Sequence, residues 1–528
     1  VFPTSKDIMP DRLAPTSVTG ELPDGLMDAF WAYEDALLGN DLEALDAAFA
    51  PGDTTLRGDA GGLLVGHDRI SAFRGARGGA PVRTIVSIHV RVLSSEYALI
   101  VSENEPRSGG RGLVTQLWAR HPDASGWVVE SAQVAGAPAA MNTSIWRVLG
   151  NPLVASTAPK GGALAGETVA VKDLFDVQGF SVGAGIPEYL AEASPAQAHA
   201  PAVAALLSAG ASVRGIAQTD EFAYSIAGKN VHYGTPPNAR VPGAIPGGSS
   251  SGPASAVALG HASIGLATDT AGSIRVPASY QGLWGLRTTH GAVDAAGLLP
   301  LAASFDAIGW LTRSPSVLRA AAASTLDGEA QQPVDPQFVI STELLFAATP
   351  AMQGALVSAV GRLEADGRIG EVGVVDLGDT SGFFAAFRTV QAAEAWRRHG
   401  EWITAHPGVL AADVASRFDT ASTISDEAEA DSRAVLAAAR AQLDDALAGR
   451  ILLLPSTSST APSAGAAAEE IDATRAATLA LTCFAGIGGY PALSVPLLDV
   501  DGAPAGLCLV GPRNTDLALI DIARGFDL

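Results

Sequence analysis

Only two cysteines occur among the 528 residues, aromatic side chains make up 6% and charged ones 17%, and 33 lysines and arginines face 55 aspartates and glutamates. Each scarcity excludes something. Cys483 and Cys508 lie in apolar surroundings (LALTCFAG and AGLCLVGP), where buried thiols are common, so neither reads as a nucleophile. The formal charge of −22, with no cluster of basic residues to offset it, repels phosphate backbones and argues against a nucleic-acid partner. Although 48% of the chain is hydrophobic, no apolar run approaches the roughly 18 residues of a membrane span, and no membrane partner is expected. The nine histidines stand apart, with no HxxxH, HExxH or Cys/His spacing, so no metal site is expected. His399 and His406, close together near a proline, read as solvated helix-end residues. The first twenty residues carry Lys6, Asp7, Asp11, Arg12 and three prolines in place of a secretory signal, which leads us to expect a cytoplasmic protein.

What the chain does have is length for two or three domains. Residues 1–20 read as a tail. From 24 to 40, apolar residues recur at Leu26, Phe30, Tyr33 and Leu37, a helical stripe that Asp24 or a neighbour can cap, and a second short helix follows around 41–49. The sequence then turns to strands at 84–93, 97–103, 112–120 and 127–134, separated by turn-rich stretches (SENEPRSGGRG, HPDASG), which predicts an antiparallel meander. Residues 21–135 therefore read as a small α+β domain. Residues 136–151 are rich in Ala, Gly and Pro and suit a linker. From 152 to 528 apolar strands (168–171, 211–216, 451–454) alternate with helical stretches (201–209, 432–447), the pattern of an α/β layered sheet.

Three features of this second domain carry chemistry. Lys172 ends the apolar stretch TVAVK. Read alone it either snorkels to water or is delivered into a dry pocket, where desolvation lowers its pKa and lets the amine act as a base. The run Gly247-Gly248-Ser249-Ser250-Ser251-Gly252 is either a flexible linker or the entry loop of a buried helix at 253–259. It also matches GxSxG centred on Ser250, but the preceding VPGAIPG cannot form the straight strand of a nucleophile elbow. In the third, Asp269-Thr270-Ala271-Gly272-Ser273, the backbone N–H groups of Thr270, Ala271, Gly272 and Ser273 can converge on one oxyanion; the alternative is an ordinary turn with a buried serine.

Taken together, Lys172, GGSSSG and DTAGSIR, with 273 − 249 = 24 residues between two serines, resemble the amidase signature family. The likeness runs over roughly 152–528 and includes HYGTPPNARVPGAIPGGSSSG and RVPASYQGLWGLRTTHGAV. It implies a layered α/β/α sandwich with a central mixed sheet and a catalytic triad: Lys172 as base, Ser249 on a cis peptide as the bridging serine, and Ser273 as nucleophile. Ser250 braces that network, and no cofactor is required. Ala271 stands where many members have a second glycine, which retains the donor but alters pocket shape. EFAYSIAGKNVHYGTP, LPLAASFDAIGWLTRSP and WRRHGEWI resemble plant-type indole-acetamide amidases, implying a small-molecule, arylacetamide-like amide as substrate, with ureido or carbamate hydrolysis or a noncatalytic scaffold as alternatives. The resemblance also implies that Asp269 and Arg275 pair to hold the loop, the alternative being a peripheral charge pair, and that Tyr224, Ser225 and His232 line the substrate pocket.

Residues 21–135, with FWAYEDALLGNDLEALDAAF, resemble the cone-shaped SnoaL-like fold, of the kind found beside ureido-degrading amidases. Tyr33 and Arg57, with His89, Glu103, Gln116 and Gln133, are candidates for a polar pocket there; the alternative is a noncatalytic module through which the chain dimerises.

Overall fold

The computed structural model describes residues 12–59, 62–75, 83–106, 112–121, 126–135, 141–158 and 161–526. The chain divides into two units, Val1–Met141 and Asn142–Leu528. The expected turns at 102–112 and 121–126, the linker segment 136–140, and Lys6, Asp7 and Asp11 lie wholly or partly outside the described residues.

In the first unit the stripe of apolar residues forms the helix Leu26–Gly39, whose Leu26, Phe30 and Tyr33 are buried. Its N-cap is Gly25 rather than Asp24, whose carbonyl instead accepts the indole N–H of Trp127. The short helix Leu42–Ala47 falls within the expected 41–49, and Asp41 caps it by accepting the amide of Ala44 at 3.0 Å. The four expected strands form the antiparallel run Arg83–Val92, Tyr97–Pro106, Gly112–Arg120 and Trp127–Ala135. Three more join them. Ser17–Thr19, read as tail, pairs in parallel with Arg83–Val92, and the hairpin Leu56–Asp59 and Gly62–Val65 extends the other edge. A helix, His67–Gly75, was also not expected. These strands are three or four residues long, too short to display an alternating pattern.

The second unit is built on an 11-stranded mixed sheet. Its central strands Ile264–Asp269 and Ala307–Thr312 are buried at every position, so both faces are covered. Ser251–Ala258 and Arg275–Gln281 pack together against the sheet, as do Pro315–Ala323 and Asp516–Arg524, giving the expected layered α/β/α sandwich. The helix expected over 201–209 is Pro201–Ser208, with the proline at its first position, while the helix expected over 432–447 begins earlier, at Asp426, because Ser425 caps it by accepting the amide of Ala428.

Two readings need correction. Residues 142–151 are not linker: Trp146–Val154 is the edge strand of the large sheet, antiparallel to Ser212–Ala217, and the Trp146 ring is buried. Nor is His399 a solvated helix-end residue. It lies inside the helix Phe383–Ala405, buried, stacked on Phe222 at 4.3 Å with Nε2 3.0 Å from the carbonyl of Pro300, and burial pushes it down to about 4. His406 does cap that helix end, partly exposed and stacked on Trp402. Among the described residues no helix is long and apolar enough to cross a membrane.

Replacing Trp146 with alanine tests the reassigned strand. Removal of a buried indole from the sheet edge should cost about 3–5 kcal/mol in denaturant unfolding of the second unit, whereas a linker residue would leave the midpoint unchanged.

Candidate active site

The strand Thr168–Lys172 runs inside the sheet between two parallel neighbours and ends with Lys172 fully buried. With water excluded, the amine has only protein groups to bond. Its Nζ lies 2.9 Å from Ser249 Oγ and 2.8 Å from Thr268 Oγ1. Ser249 Oγ in turn lies 3.0 Å from Ser273 Oγ, so the amine and two hydroxyls form one continuous line. Burial pushes Lys172 down to about 7, against the opposing pull of Asp220, Asp306 and Asp269.

The first serine loop is held from several sides. The Gly248–Ser249 peptide is cis, and the Ser249 carbonyl accepts the Thr219 hydroxyl at 2.9 Å. The next residue, Ser250, opens the buried helix Ser251–Ala258; its amide donates to the carbonyl of Ser273 and its hydroxyl to that of Thr268, both at 3.3 Å, so it joins the two loops. Ser251 donates to Asp220, whose other oxygen accepts the amide of Gly228. Burial pushes Asp220 up to about 6.

The second loop is organised by Asp269. Its carboxylate accepts the amides of Gly272 at 2.8 Å, Ile274 at 3.1 Å and Arg275 at 3.3 Å. It also receives Arg275 through Nε and Nη2, at 3.1 and 2.8 Å, and Arg287 through Nη1 at 3.3 Å. All three charged groups are buried; burial opposes ionisation of Asp269, but the two guanidiniums hold its carboxyl well below the usual range. This is no peripheral pair. It also alters the expected oxyanion hole, because the Gly272 amide is already given to Asp269. Gly272 itself has φ +129°, which a side chain would strain.

Thr268, Asp220, Asp306, Arg287 and Thr482 complete the site without having been singled out in the sequence. Asp306 accepts the Thr270 hydroxyl at 2.5 Å and is pushed up to about 6 by burial. Thr482 accepts Arg275 Nη1 at its carbonyl and donates its hydroxyl to the carbonyl of Ala271. Arg287 and Asp306 lie in the segments RVPASYQGLWGLRTTHGAV and LPLAASFDAIGWLTRSP that carry the resemblance, though nothing there singles them out, and Thr268, Asp220 and Thr482 are marked only by burial beside the loops. Cys483 and Cys508 are buried, and their thiols are pushed up to about 12 and 11.

Of the expected substrate contacts, Tyr224 lines a cavity with Arg388, Arg417 and Arg475, whereas Ser225 and His232 do not. Ser225 accepts the amide of Ala227 and faces Asp220, and His232 Nε2 lies 3.0 Å from Glu221. In the first unit Tyr33 and Arg57 line a small cavity of about 60 Å³ with Arg74 and Arg83. His89 and Gln133 are instead on the exposed side of their strands, and Gln116 accepts the Trp118 indole N–H.

A buried amine in line with two hydroxyls, beneath glycine-containing loops on a mixed sheet covered on both faces, is an arrangement suited to hydrolysis. Comparison with known proteins agrees. The Amidase family model matches residues 153–354, and the AtzH-like model matches residues 20–139. Amidase 1 of Arabidopsis thaliana is 33% identical over 405 residues, 70% of this chain and 95% of that protein. The 2-amino-5-chloromuconic acid deaminase of Comamonas testosteroni is 34% identical, covering 69% of this chain and 82% of its own length. Among solved structures, an allophanate hydrolase of Kluyveromyces lactis aligns with a TM-score of 0.62 and 26% identity, over 69% of this chain and 61% of that one. The chain belongs to the amidase family and is an amidohydrolase.

Replacing Asp269 with asparagine would leave two buried guanidiniums uncompensated. Stability should fall by about 3–5 kcal/mol in denaturant unfolding, far more than a surface pair would lose.

Proposed function

We propose that the chain hydrolyses a linear carboxamide through an acyl-enzyme on Ser273. The observation that carries this reading is the unbroken contact line Lys172–Ser249–Ser273, at 2.9 and 3.0 Å. Neutral Lys172 takes the Ser249 proton while Ser249 takes that of Ser273, whose oxygen attacks the carbonyl carbon. The amides of Thr270, Ala271 and Ser273, without Gly272, are the donors for the oxyanion. As the C–N bond breaks, the proton returns from Lys172 through Ser249 to the leaving nitrogen, and ammonia or an amine departs. Water, deprotonated by the same relay, then attacks the ester, and the acid leaves with Ser273 restored.

The resemblance implies an arylacetamide-like substrate with Tyr224 among the residues that line its pocket. The Tyr224 ring packs edge-on against Phe418 at 5.0 Å, and the charges of Arg475, Arg417 and Arg388 act on its hydroxyl, so the wall it forms is part aromatic and part cationic. Ureido or carbamate hydrolysis is a second reading, favoured by the match of residues 20–139 to the AtzH-like model and by the allophanate hydrolase neighbour. Initial rates on indole-acetamide, benzamide and biuret-like compounds separate the two.

A serine-directed phosphonate should add to Ser273, read by intact mass, and Ser273→Ala should remove both adduct and hydrolysis while the protein stays folded; turnover by that variant would sink the assignment. Because the amine acts in its neutral form, kcat/KM should rise with pH through about 7 and then level off, and a profile flat from pH 5 to 9 would exclude Lys172 as the base.

A further inference from the structure

Asp220 is a fully buried acid that takes no part in the proton relay itself. The sheet brings it there. Ala217 is the register partner of Lys172 on the neighbouring strand Ser212–Ala217, and Asp220 follows just beyond the end of that strand. Its backbone amide donates to the Ser249 carbonyl at 3.3 Å, beside the Thr219 hydroxyl at 2.9 Å. Its side chain lies against Gly248, where any added side chain would run into a carboxylate oxygen. One oxygen accepts the Ser251 hydroxyl at 3.1 Å and the other the Gly228 amide at 2.9 Å, and the Ser225 hydroxyl bonds the group as well. The segment that carries the relay serine thus rests on this one carboxylate through Gly248 on one side of Ser249 and Ser251 on the other.

All three of these contacts are donors, the surroundings that suit an ionised carboxylate. The cation whose charge acts on it is Lys172. Other charged groups nearby are differently engaged. Asp269 is matched by Arg275 and Arg287, and Asp306 accepts the Thr270 hydroxyl and the amides of Leu301 and Ala302. Glu221 accepts the Ala411 amide at 2.9 Å and lies 3.0 Å from His232. When Lys172 takes the proton of Ser249, a positive charge forms where no water can solvate it. A buried anion offsets that charge, and of the three acids that act on the amine Asp220 does so most strongly.

We propose that Asp220 is a positioning residue with two separable tasks: its shape seats Ser249 between Lys172 and Ser273, and its negative charge offsets the ammonium that forms on Lys172 during attack. The inference rests on the assignment of Lys172 as base. Shape alone would be met by a neutral side chain of the same size, because the Ser251 hydroxyl can accept as well as donate. The charge is what such a side chain would lack.

The test follows phosphonylation of Ser273 by a fluorophosphonate in the full chain, its rate read by intact mass across pH, so that the natural substrate need not be known. An anion beside the amine favours the protonated form, so its removal lets the amine lose its proton at a lower pH. In Asp220→Asn, which keeps the shape, the rising limb should move down by about one pH unit. The plateau should fall by about 3-fold or more, because a weaker base drives the attack. Asp220→Ser, also neutral, should move the limb the same way and carries the test if the first variant misfolds. Thr219→Val loosens the Ser249 carbonyl without removing a charge, so its plateau should fall with the limb in place, and Asp306→Asn should move the limb less than Asp220→Asn. A limb that moves as far in Thr219→Val or in Asp306→Asn would overturn the proposal. So would one that vanishes in Asp220→Asn, since it would then belong to the proton of Asp220 itself. A flat profile in the unaltered chain rejects Lys172 as base and this proposal with it, whereas a limb present there and unmoved in both Asp220 variants rejects the role of Asp220 alone.

Discussion

The carboxylate of Asp269 gathers three backbone amides and two guanidiniums in a place that water does not reach. A lone charge there would be costly, and so would either arginine without it. Together they become a rigid junction. Arg275 passes the constraint on to Thr482 in the helix Ala468–Gly488, and Arg287 passes it to the carbonyl of Phe305 at 2.8 Å. The curvature of the loop around Gly272, and with it the position of the Ser273 hydroxyl, follows from this junction.

Lys172 depends on the same dryness for the opposite reason. Burial that would penalise an unpaired Asp269 is what brings the lysine amine to about 7. The nearby carboxylates temper the effect: Asp220 and Asp306, each pushed up to about 6 by burial, favour the charged amine when they are ionised. A base poised near neutrality thus arises from a balance between one desolvated cation and several acidic neighbours, none of which touches the nucleophile's oxygen.

The parts of the fold and site carried by local pattern were legible in the sequence. The helical stripe at Leu26, Phe30 and Tyr33 and the proline at 201 each state their role within a few residues, whereas the glycine and serine runs do so only when set beside Lys172. Long-range partners were not. Thr268 sits between an apolar strand and a conspicuous loop, and Asp220 and Asp306 look like ordinary acidic residues until the fold brings them near Lys172. Trp146–Val154 was hidden because its flanks are Ala- and Gly-rich, while its strand character comes from pairing with Val213–Ala217, between 217 − 146 = 71 and 213 − 154 = 59 positions away. The helix Ala468–Gly488 was missed for a related reason: from Thr478 onward it is buried on nearly every side, so the polar face that would reveal its period is absent.

That buried helix also constrains how the protein can vary. A methyl group at Gly486 would lie 3.1 Å from both the carbonyl of Thr270 and the ring of Phe387, so the chain is already in closest packing where the two helices meet the reacting loop. Diversification toward other substrates has little room there. One turn from Phe387 and two turns from Gly486, Gln391 and Leu479 instead line a cavity, where side chains are less tightly confined. Tight packing of small residues beside the reacting loop thus gives way, along the same two helices, to a cavity wall where a change of side chain costs less in displaced neighbours.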